Sequence, residues 1–223
     1  MTNRNEILQV VRSKDQARAA YNKLSRWYDA LAGWMEKELR ERGLQKLNAR
    51  EGETVLEIGF GTGHCITALA QSIGNSGKVY GIDISEGMLN VARQRVSEAG
   101  LSERVEFKCG DATKLPFQQD IFDAIFMSFT LELFDSPEIP VVLAECKRVL
   151  RKGGRICVVS LSKEKAGLMI KIYEWLHKTI PQYVDCRPIF ARRAMEESGF
   201  HDFDLEKVSK WGLLVEIVLA KKT

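Results

Sequence analysis

Histidine is scarce in this chain, and its cysteines are arranged for neither staples nor metal. Only three histidines occur (His64, His177, His201), none with metal-ligand spacing. The five cysteines (Cys65, Cys109, Cys146, Cys157, Cys186) are odd in number, widely spaced and without a Cys-x-x-Cys pair. That argues against a disulfide framework or a zinc cluster. They read as small buried apolar residues of a reducing compartment, and no metal is expected. No apolar run approaches the roughly 18 residues that a membrane span needs. The opening Met1-Thr-Asn-Arg-Asn has no apolar segment of the signal-peptide type, so a cytoplasmic protein is expected. A surplus of one charge is lacking too: 33 basic against 30 acidic residues leave +3, too little to argue for a nucleic-acid partner. Repeats, low-complexity tracts and an interdomain linker are absent. What remains is 223 residues, 45% apolar and 28% charged, a length and balance that suit one globular domain with a sizeable core.

The small positive excess is local. Residues 1–30 hold six basic residues (Arg4, Arg12, Lys14, Arg18, Lys23, Arg26) against three acids (Glu6, Asp15, Asp29). Two readings stand: a solvated helix face, or a basic helix that meets an anionic substrate or membrane surface peripherally.

The most informative stretch is residues 53–69. Thr54 to Ile58 reads as a short buried strand, and from Ile66 apolar residues recur at helical spacing (Leu69, Ala70, Ile73). Between them lies Gly59-Phe60-Gly61-Thr62-Gly63, a glycine turn from strand to helix of the kind that holds nucleotide-like ligands in open α/β sheets. The dinucleotide fingerprint requires a further glycine where His64 stands. Glu57, at the strand end, repels a pyrophosphate and suits a ligand with a cationic end.

Strand-like and helix-like segments then alternate, which predicts a parallel sheet with right-handed crossovers. Lys78 to Asp83 is the second strand, followed by a helix over Glu86 to Ala99. Val105 to Cys109 is the third strand and Phe122 to Phe129 the fourth. Ser136-Pro137 is expected to open the next helix, with Lys152-Gly153-Gly154 closing it. Arg155 to Leu161 is the fifth strand. Phe203 to Val208 and Gly212 to Lys221 read as a terminal antiparallel hairpin. Ahead of the sheet, residues 5–48 look helical, with an apolar stripe of Leu31, Trp34, Met35 and Leu39 ended or interrupted by Gly43. Tyr21 and Tyr28, seven residues apart, share a helical face. They either pack on the sheet or cap a cofactor pocket as part of a helical lid.

Glu57, Asp83 and Asp111 are separated by 26 and 28 residues, about one βα unit each. The carboxyl ends of neighbouring strands line one crevice in a doubly wound sheet, so the three acids converge there. Asp83 can accept from two ribose hydroxyls and Asp111 from an adenine amino group, with the backbone near Ala112 facing the ring nitrogens. Ile84 and Met88 can cover the adenine with apolar surface.

Five segments together resemble class I S-adenosylmethionine (SAM) methyltransferases: Glu57-x-Gly59-x-Gly61-x-Gly63, Gly81 to Leu89, Gly110-Asp-Ala112 with Leu-Pro-Phe117, Phe122 to Ile125, and Glu145 to Gly154. Tyr21 to Asp29 is similar to the N-terminal helix of the quinone-biosynthesis C-methyltransferases (UbiE-like) and of bacterial phosphatidylethanolamine N-methyltransferases. The resemblance implies a single Rossmann-like domain with a helical lid over 1–48 and a substrate-side insertion over 162–199. Its seven-stranded, mostly parallel sheet has the order 3-2-1-4-5-7-6 and ends in an antiparallel hairpin. It also implies SAM over strands 1 to 3. Glu57 and the loop glycines hold its methionine part, helped by Ser128 or Phe129. The acceptor lies above strands 4 and 5.

Methyl transfer from a sulfonium mainly needs alignment, so no catalytic triad is expected and none is visible. His177 and Glu132 are candidate bases if the acceptor must lose a proton. The insertion is apolar and aromatic (Leu168, Ile170, Tyr173, Trp175), which favours a hydrophobic or ring-bearing acceptor such as a quinone precursor. Nitrogen methylation of a phospholipid headgroup or small amine is the alternative, and a SAM-binding protein without catalysis a third. Oligomeric state is not readable.

Overall fold

Among the described residues, the runs of β-branched and apolar residues from residue 54 onward form strands, and the amphipathic runs between them form covering helices. The structure, a computed structural model, describes residues 15, 16, 18, 19, 22, 28–164, 187–210 and 212–223. Helix α1 spans Tyr28–Leu47. Then come β1 (Thr54–Ile58), α2 (His64–Ser72), β2 (Lys78–Asp83), α3 (Glu86–Glu98), β3 (Val105–Cys109) and β4 (Phe122–Ser128). The chain continues through α4 (Ile139–Val149), β5 (Leu150–Leu161), α5 (Ala191–Glu197), β6 (His201–Lys210) and β7 (Leu213–Lys221). Among the described residues no helix is long and apolar enough to cross a membrane.

The seven strands form one sheet in the order β3-β2-β1-β4-β5-β7-β6. Pairings β2–β3, β1–β2, β1–β4 and β4–β5 are parallel, and β7 runs antiparallel to β5 and β6. This is the architecture and strand order that the resemblance implies. Strand side chains alternate faces, so the core has two halves. Val55, Ala124, Phe126, Cys157 and Val159 pack with residues of α1, α2 and α3 on one side. Leu56, Ile125, Met127, Ile156 and Val158 pack with α4 and α5 on the other. Cys65, Cys146 and Cys157 are buried free thiols, Cys109 is exposed, and Cys186 lies outside the described residues.

Three expected boundaries move, each for a local reason. Gly43 does not end or interrupt its helix; α1 runs through it to Leu47. A Cβ at Gly43 would stand 2.4 Å from Val159 Cγ2 and 3.1 Å from Phe126 Cε2, so this glycine lets the helix axis approach the sheet. Helix α4 opens at Ile139, not at Ser136-Pro137, because Glu138 and Ile139 donate their N–H groups to Asp135 O at 2.8 and 3.1 Å and make a turn first. Pro140, not Pro137, occupies its first turn. Lys152-Gly153-Gly154 belongs to β5 rather than to a helix end. Gly153 N–H donates to Lys222 O, and Lys222 N–H donates to Gly154 O, both at 2.8 Å.

Arg155, at the amino end of the predicted fifth strand, ties α1 to the sheet. Its guanidinium donates to Leu47 O at 2.6 Å, to Asn48 O at 2.7 Å and to both carboxylate oxygens of Glu53 at 2.8 and 2.7 Å. Burial alone would raise the Glu53 pKa; the Arg155 bonds, the Arg50 N–H and the charges of both arginines together hold it below its ordinary value.

Candidate functional site

The glycine turn leaves β1 when Gly59 N–H donates to Ile82 O at 2.8 Å. Gly59 has φ +73°, and a Cβ there would lie 2.3 Å from Thr130 Oγ1; Gly63 has φ +86°, and its Cβ would lie 2.9 Å from Ala92 Cα. Those two positions are glycine because of backbone angle and packing. Gly61, at φ +51°, has nothing within 4 Å of its Cβ position, and there a ligand finds open main chain.

The three strand-end acids meet as the βα spacing predicts. Glu57 is 2% exposed, and its Oε2 has no hydrogen-bond partner. Burial first, and then the charge of Asp83, push its pKa well above the ordinary carboxyl range, with Arg40 of α1 acting against them. Asp83 spans the glycine turn and the start of α3, accepting from Gly61 N–H on one oxygen and from Ser85 N–H on the other, both at 2.9 Å. Burial raises its pKa against the pull of those N–H groups. Asp111 accepts from Thr113 N–H at 2.9 Å, fixing the turn after β3.

Between these ends lies a cavity of about 260 Å³, lined on one side by Glu57, Gly59, Gly61, Asp83, Ile84, Met88, Asp111 and Ala112. Ser128 and Phe129 line it where β4 ends. Phe129 holds φ +51°, a left-handed angle uncommon for an aromatic residue, and donates its N–H to Val159 O at 2.8 Å. Gly63 is not in the wall, although its neighbours Thr62 and His64 are. The cavity continues to Glu36 and Arg40 of α1 and to Leu133, Phe134, Asp135 and Glu138. Tyr21, the Tyr28 side chain and His177 lie outside the described residues. Glu132 is 0% exposed and sits between wall residues without joining the wall itself.

Sequence reasoning left His64 without a role and missed the outer wall. It also missed Arg18 and Asn22, which dock on the turn after β2. Arg18 Nε donates to Ile84 O at 3.2 Å; Asn22 Oδ1 accepts from Ser85 Oγ at 2.7 Å and from Gly87 N–H at 2.9 Å. The available signal was Gly87, whose Cβ would lie 2.8 Å from Asn22 Cα. Among the described residues no group of three or more His, Cys, Asp or Glu side chains could hold a metal ion.

An apolar slot between Ile84 and Met88, a hydroxyl-accepting Asp83 and an unpartnered buried carboxyl oxygen on Glu57 fit a nucleoside with a cationic tail. These are the parts of SAM, and the acids Glu57, Asp83 and Asp111 in the wall disfavour a pyrophosphate. Comparison with known proteins agrees. A methyltransferase-domain profile matches residues 55–154. The solved structure of a SAM-dependent methyltransferase from Aquifex aeolicus superposes with a TM-score of 0.62 at 26% identity, over 82% of this chain and 89% of that one. The [4+2]-cyclase SpnF superposes with a TM-score of 0.78 over 95% and 97% at 22% identity, a likeness of fold alone. The chain is a class I SAM-dependent methyltransferase.

Its relatives narrow the family. The demethylmenaquinone methyltransferase of Bacillus subtilis (strain 168) is 33% identical over 196 residues, 85% of this chain and 82% of that protein. The ubiquinone/menaquinone biosynthesis C-methyltransferase UbiE of Pseudomonas fluorescens (strain Pf0-1) is 36% identical over 146 residues, 66% of this chain and 56% of that one. The chain belongs to the UbiE-like methyltransferases.

Proposed function

We propose that this methyltransferase methylates a ring carbon of a hydrophobic quinone precursor. The observation that carries the reading is the likeness to demethylmenaquinone methyltransferase across 85% of this chain. SAM supplies a methyl group already activated on a sulfonium, so the chain's task is to bind, orient and exclude water. In this reading Asp83 accepts from the ribose hydroxyls, and Asp111 with the Ala112 backbone takes the adenine between Ile84 and Met88. Glu57 receives the ammonium end beside Gly59 and Gly61, with Ser128 and Phe129 closing the methionine side. The acceptor ring occupies the outer cavity against Leu133 and Phe134, two half-buried apolar residues of its wall.

A second reading, methylation of an amine such as a phospholipid headgroup, draws on the acids of the outer wall, Glu36, Asp135 and Glu138. Incubation with methyl-labelled SAM and either a prenylated naphthoquinol or phosphatidylethanolamine vesicles separates the two. Label in the quinol fraction is expected; label only in the lipid amine overturns the first reading. Tight SAM binding without turnover of any extract would instead indicate a non-catalytic SAM-binding protein. The same reading places the chain in the cytoplasm without a nucleic-acid partner, its basic residues 1–30 meeting the membrane surface where a prenylated acceptor resides. Co-flotation with anionic vesicles, lost at high salt, checks that contact.

A further inference from the structure

SAM ends in a zwitterion, and the strand-end acids suit only one half of it. The carboxylate sits on the same carbon as the ammonium, so it enters a cavity whose wall carries six acids (Glu36, Glu57, Asp83, Asp111, Asp135 and Glu138). The glycine turn does not offset them. Its three glycine N–H groups are taken within the protein, Gly59 by Ile82 O at 2.8 Å, Gly61 by Asp83 Oδ2 at 2.9 Å and Gly63 by Phe60 O at 2.9 Å. Among the described residues of the wall, one side chain has a permanent positive charge, Arg40 of α1.

Spacing along α1 puts Arg40 there. Glu36, Arg40, Gly43 and Leu47 recur at intervals of four, three and four residues and so share one helical face. The later part of that face meets the sheet: Leu47 is buried, and Gly43 O accepts from Cys157 Sγ at 3.4 Å. Arg42 and Lys46 add ion pairs to β6, with Glu206 at 3.0 Å and Asp204 at 2.8 Å. One turn earlier the same face reaches the cavity, at Arg40 and Glu36. Arg40 donates to Glu36 Oε2 at 2.9 Å, and both side chains are partly buried. The guanidinium charge also acts across the cavity. Burial raises the pKa of Glu57 and of Cys65, which lies in the first turn of α2, and Arg40 opposes the rise in each. Arg40 is therefore near both the unpartnered oxygen of Glu57 and the start of α2, where the helix's partial positive charge also favours an anion.

We propose that Arg40 binds the carboxylate of the donor, so that the two opposite charges of the SAM tail lie between Glu57 and α1. This rests on the donor placement given above, with Glu57 at the ammonium, and is independent of the acceptor. A guanidinium has five N–H donors in a planar fork, so it can hold Glu36 and a carboxylate together. Glu36 orients the fork and balances its charge, which limits repulsion of the sulfonium and ammonium. The consequence is selectivity among donors. Arg40 favours those that keep the carboxylate, SAM and its product S-adenosylhomocysteine. It disfavours decarboxylated SAM, which presents more net positive charge to it.

Calorimetric titration of the full chain with these three compounds tests the assignment. 5′-Methylthioadenosine, which lacks the charged tail, is the control for the fold and the nucleoside site. Loss of one charge-assisted bond is worth roughly tenfold or more in affinity, so the unmodified protein is expected to bind SAM more tightly than decarboxylated SAM by about that factor. Arg40→Met, of similar length and without charge, is expected to weaken SAM and S-adenosylhomocysteine roughly tenfold or more. It should leave decarboxylated SAM no weaker than before and 5′-methylthioadenosine unchanged. Arg40→Lys keeps the charge, loses the fork and is expected to recover part of the loss. Equal loss for SAM and decarboxylated SAM would mean that Arg40 acts through the fold, and overturns the assignment. Unchanged SAM affinity in Arg40→Met overturns it as well. So does equal affinity of the unmodified protein for SAM and decarboxylated SAM, a comparison that needs no variant. If Asp83→Ala also leaves SAM affinity unmoved, the donor placement fails and this assignment with it. SAM binding that is lost in Asp83→Ala and indifferent to Arg40 overturns this assignment alone.

Discussion

A carboxyl group sealed in a cavity wall with one oxygen unpartnered either keeps a proton or meets a cation, and Glu57 is in that position. In the proposed reading, binding SAM exchanges that proton for an ammonium. The sign follows from linkage: the free protein holds the Glu57 proton to higher pH than the bound protein does, so binding releases protons and affinity rises with pH through that window. Calorimetry repeated across pH in buffers of different ionisation enthalpy is expected to report net proton release in the window where Glu57 titrates; uptake or no exchange at every pH contradicts it. Asp83 carries a separate load: it holds the Gly61 and Ser85 N–H groups and, in the proposed reading, also accepts from a ribose. Loss of one charge-assisted bond costs about 1.5–3 kcal/mol, so Asp83→Ala is expected to weaken SAM binding by roughly 10- to 100-fold. Unchanged affinity in a variant that melts cooperatively removes Asp83 from the ribose. The convergence of Glu57, Asp83 and Asp111 was legible in the sequence because βα spacing places strand ends in one row. The bonds that Asp83 makes to Gly61 and Ser85 were not, because they depend on the turn's actual path.

Elements meet where small residues let them, and α1 against the sheet is the clearest case. Alanine at Gly43 gains about 1 kcal/mol of helix propensity and pushes a methyl 2.4 Å from Val159 Cγ2. Overpacking costs about 1–3 kcal/mol, so Gly43→Ala is expected to destabilise by a net of roughly 0–2 kcal/mol. Val159→Ala, which removes the opposing methyl groups, is expected to couple favourably with it in a double-mutant cycle of urea melts. Additive effects would mean that the helix stands off the sheet. A glycine in a helical run reads from sequence as a stop, and that is how Gly43 misled. Periodicity reports an element's own face and says nothing of how near its neighbour comes. The strands were easier: β1, β2 and β3 have the predicted bounds, because each is a short apolar run closed by a turn. The start of α4 was harder, since Ser136-Pro137 is a sound local signal overridden by the Asp135–Glu138 turn.

Across the whole molecule, the ends of β1, β2 and β3 line the half of the cavity proposed for the donor, and the turn after β4 with Glu36 and Arg40 of α1 lines its outer half. The donor half was readable because its residues follow strand ends at a fixed interval. The outer half was not, because Leu133, Phe134, Asp135 and Glu138 follow β4 in an irregular turn that keeps no fixed spacing. The division predicts how the molecule responds to ligands. A donor that binds only the folded chain adds about 2.7 kcal/mol of stability at 100 times its dissociation constant. For a chain of this length each kcal/mol moves the melting temperature by roughly 2–4 °C, so SAM is expected to raise Tm by about 5–11 °C. NAD at the same concentration is expected to leave it unmoved, because Glu57 and Asp83 face the place where a pyrophosphate would lie and His64 replaces the third glycine of a dinucleotide turn. Thermal melts of the full chain with each compound read the difference directly. An equal shift with both would mean that the strand-end acids do not select the donor by charge, and a shift with NAD alone would remove SAM from the cavity.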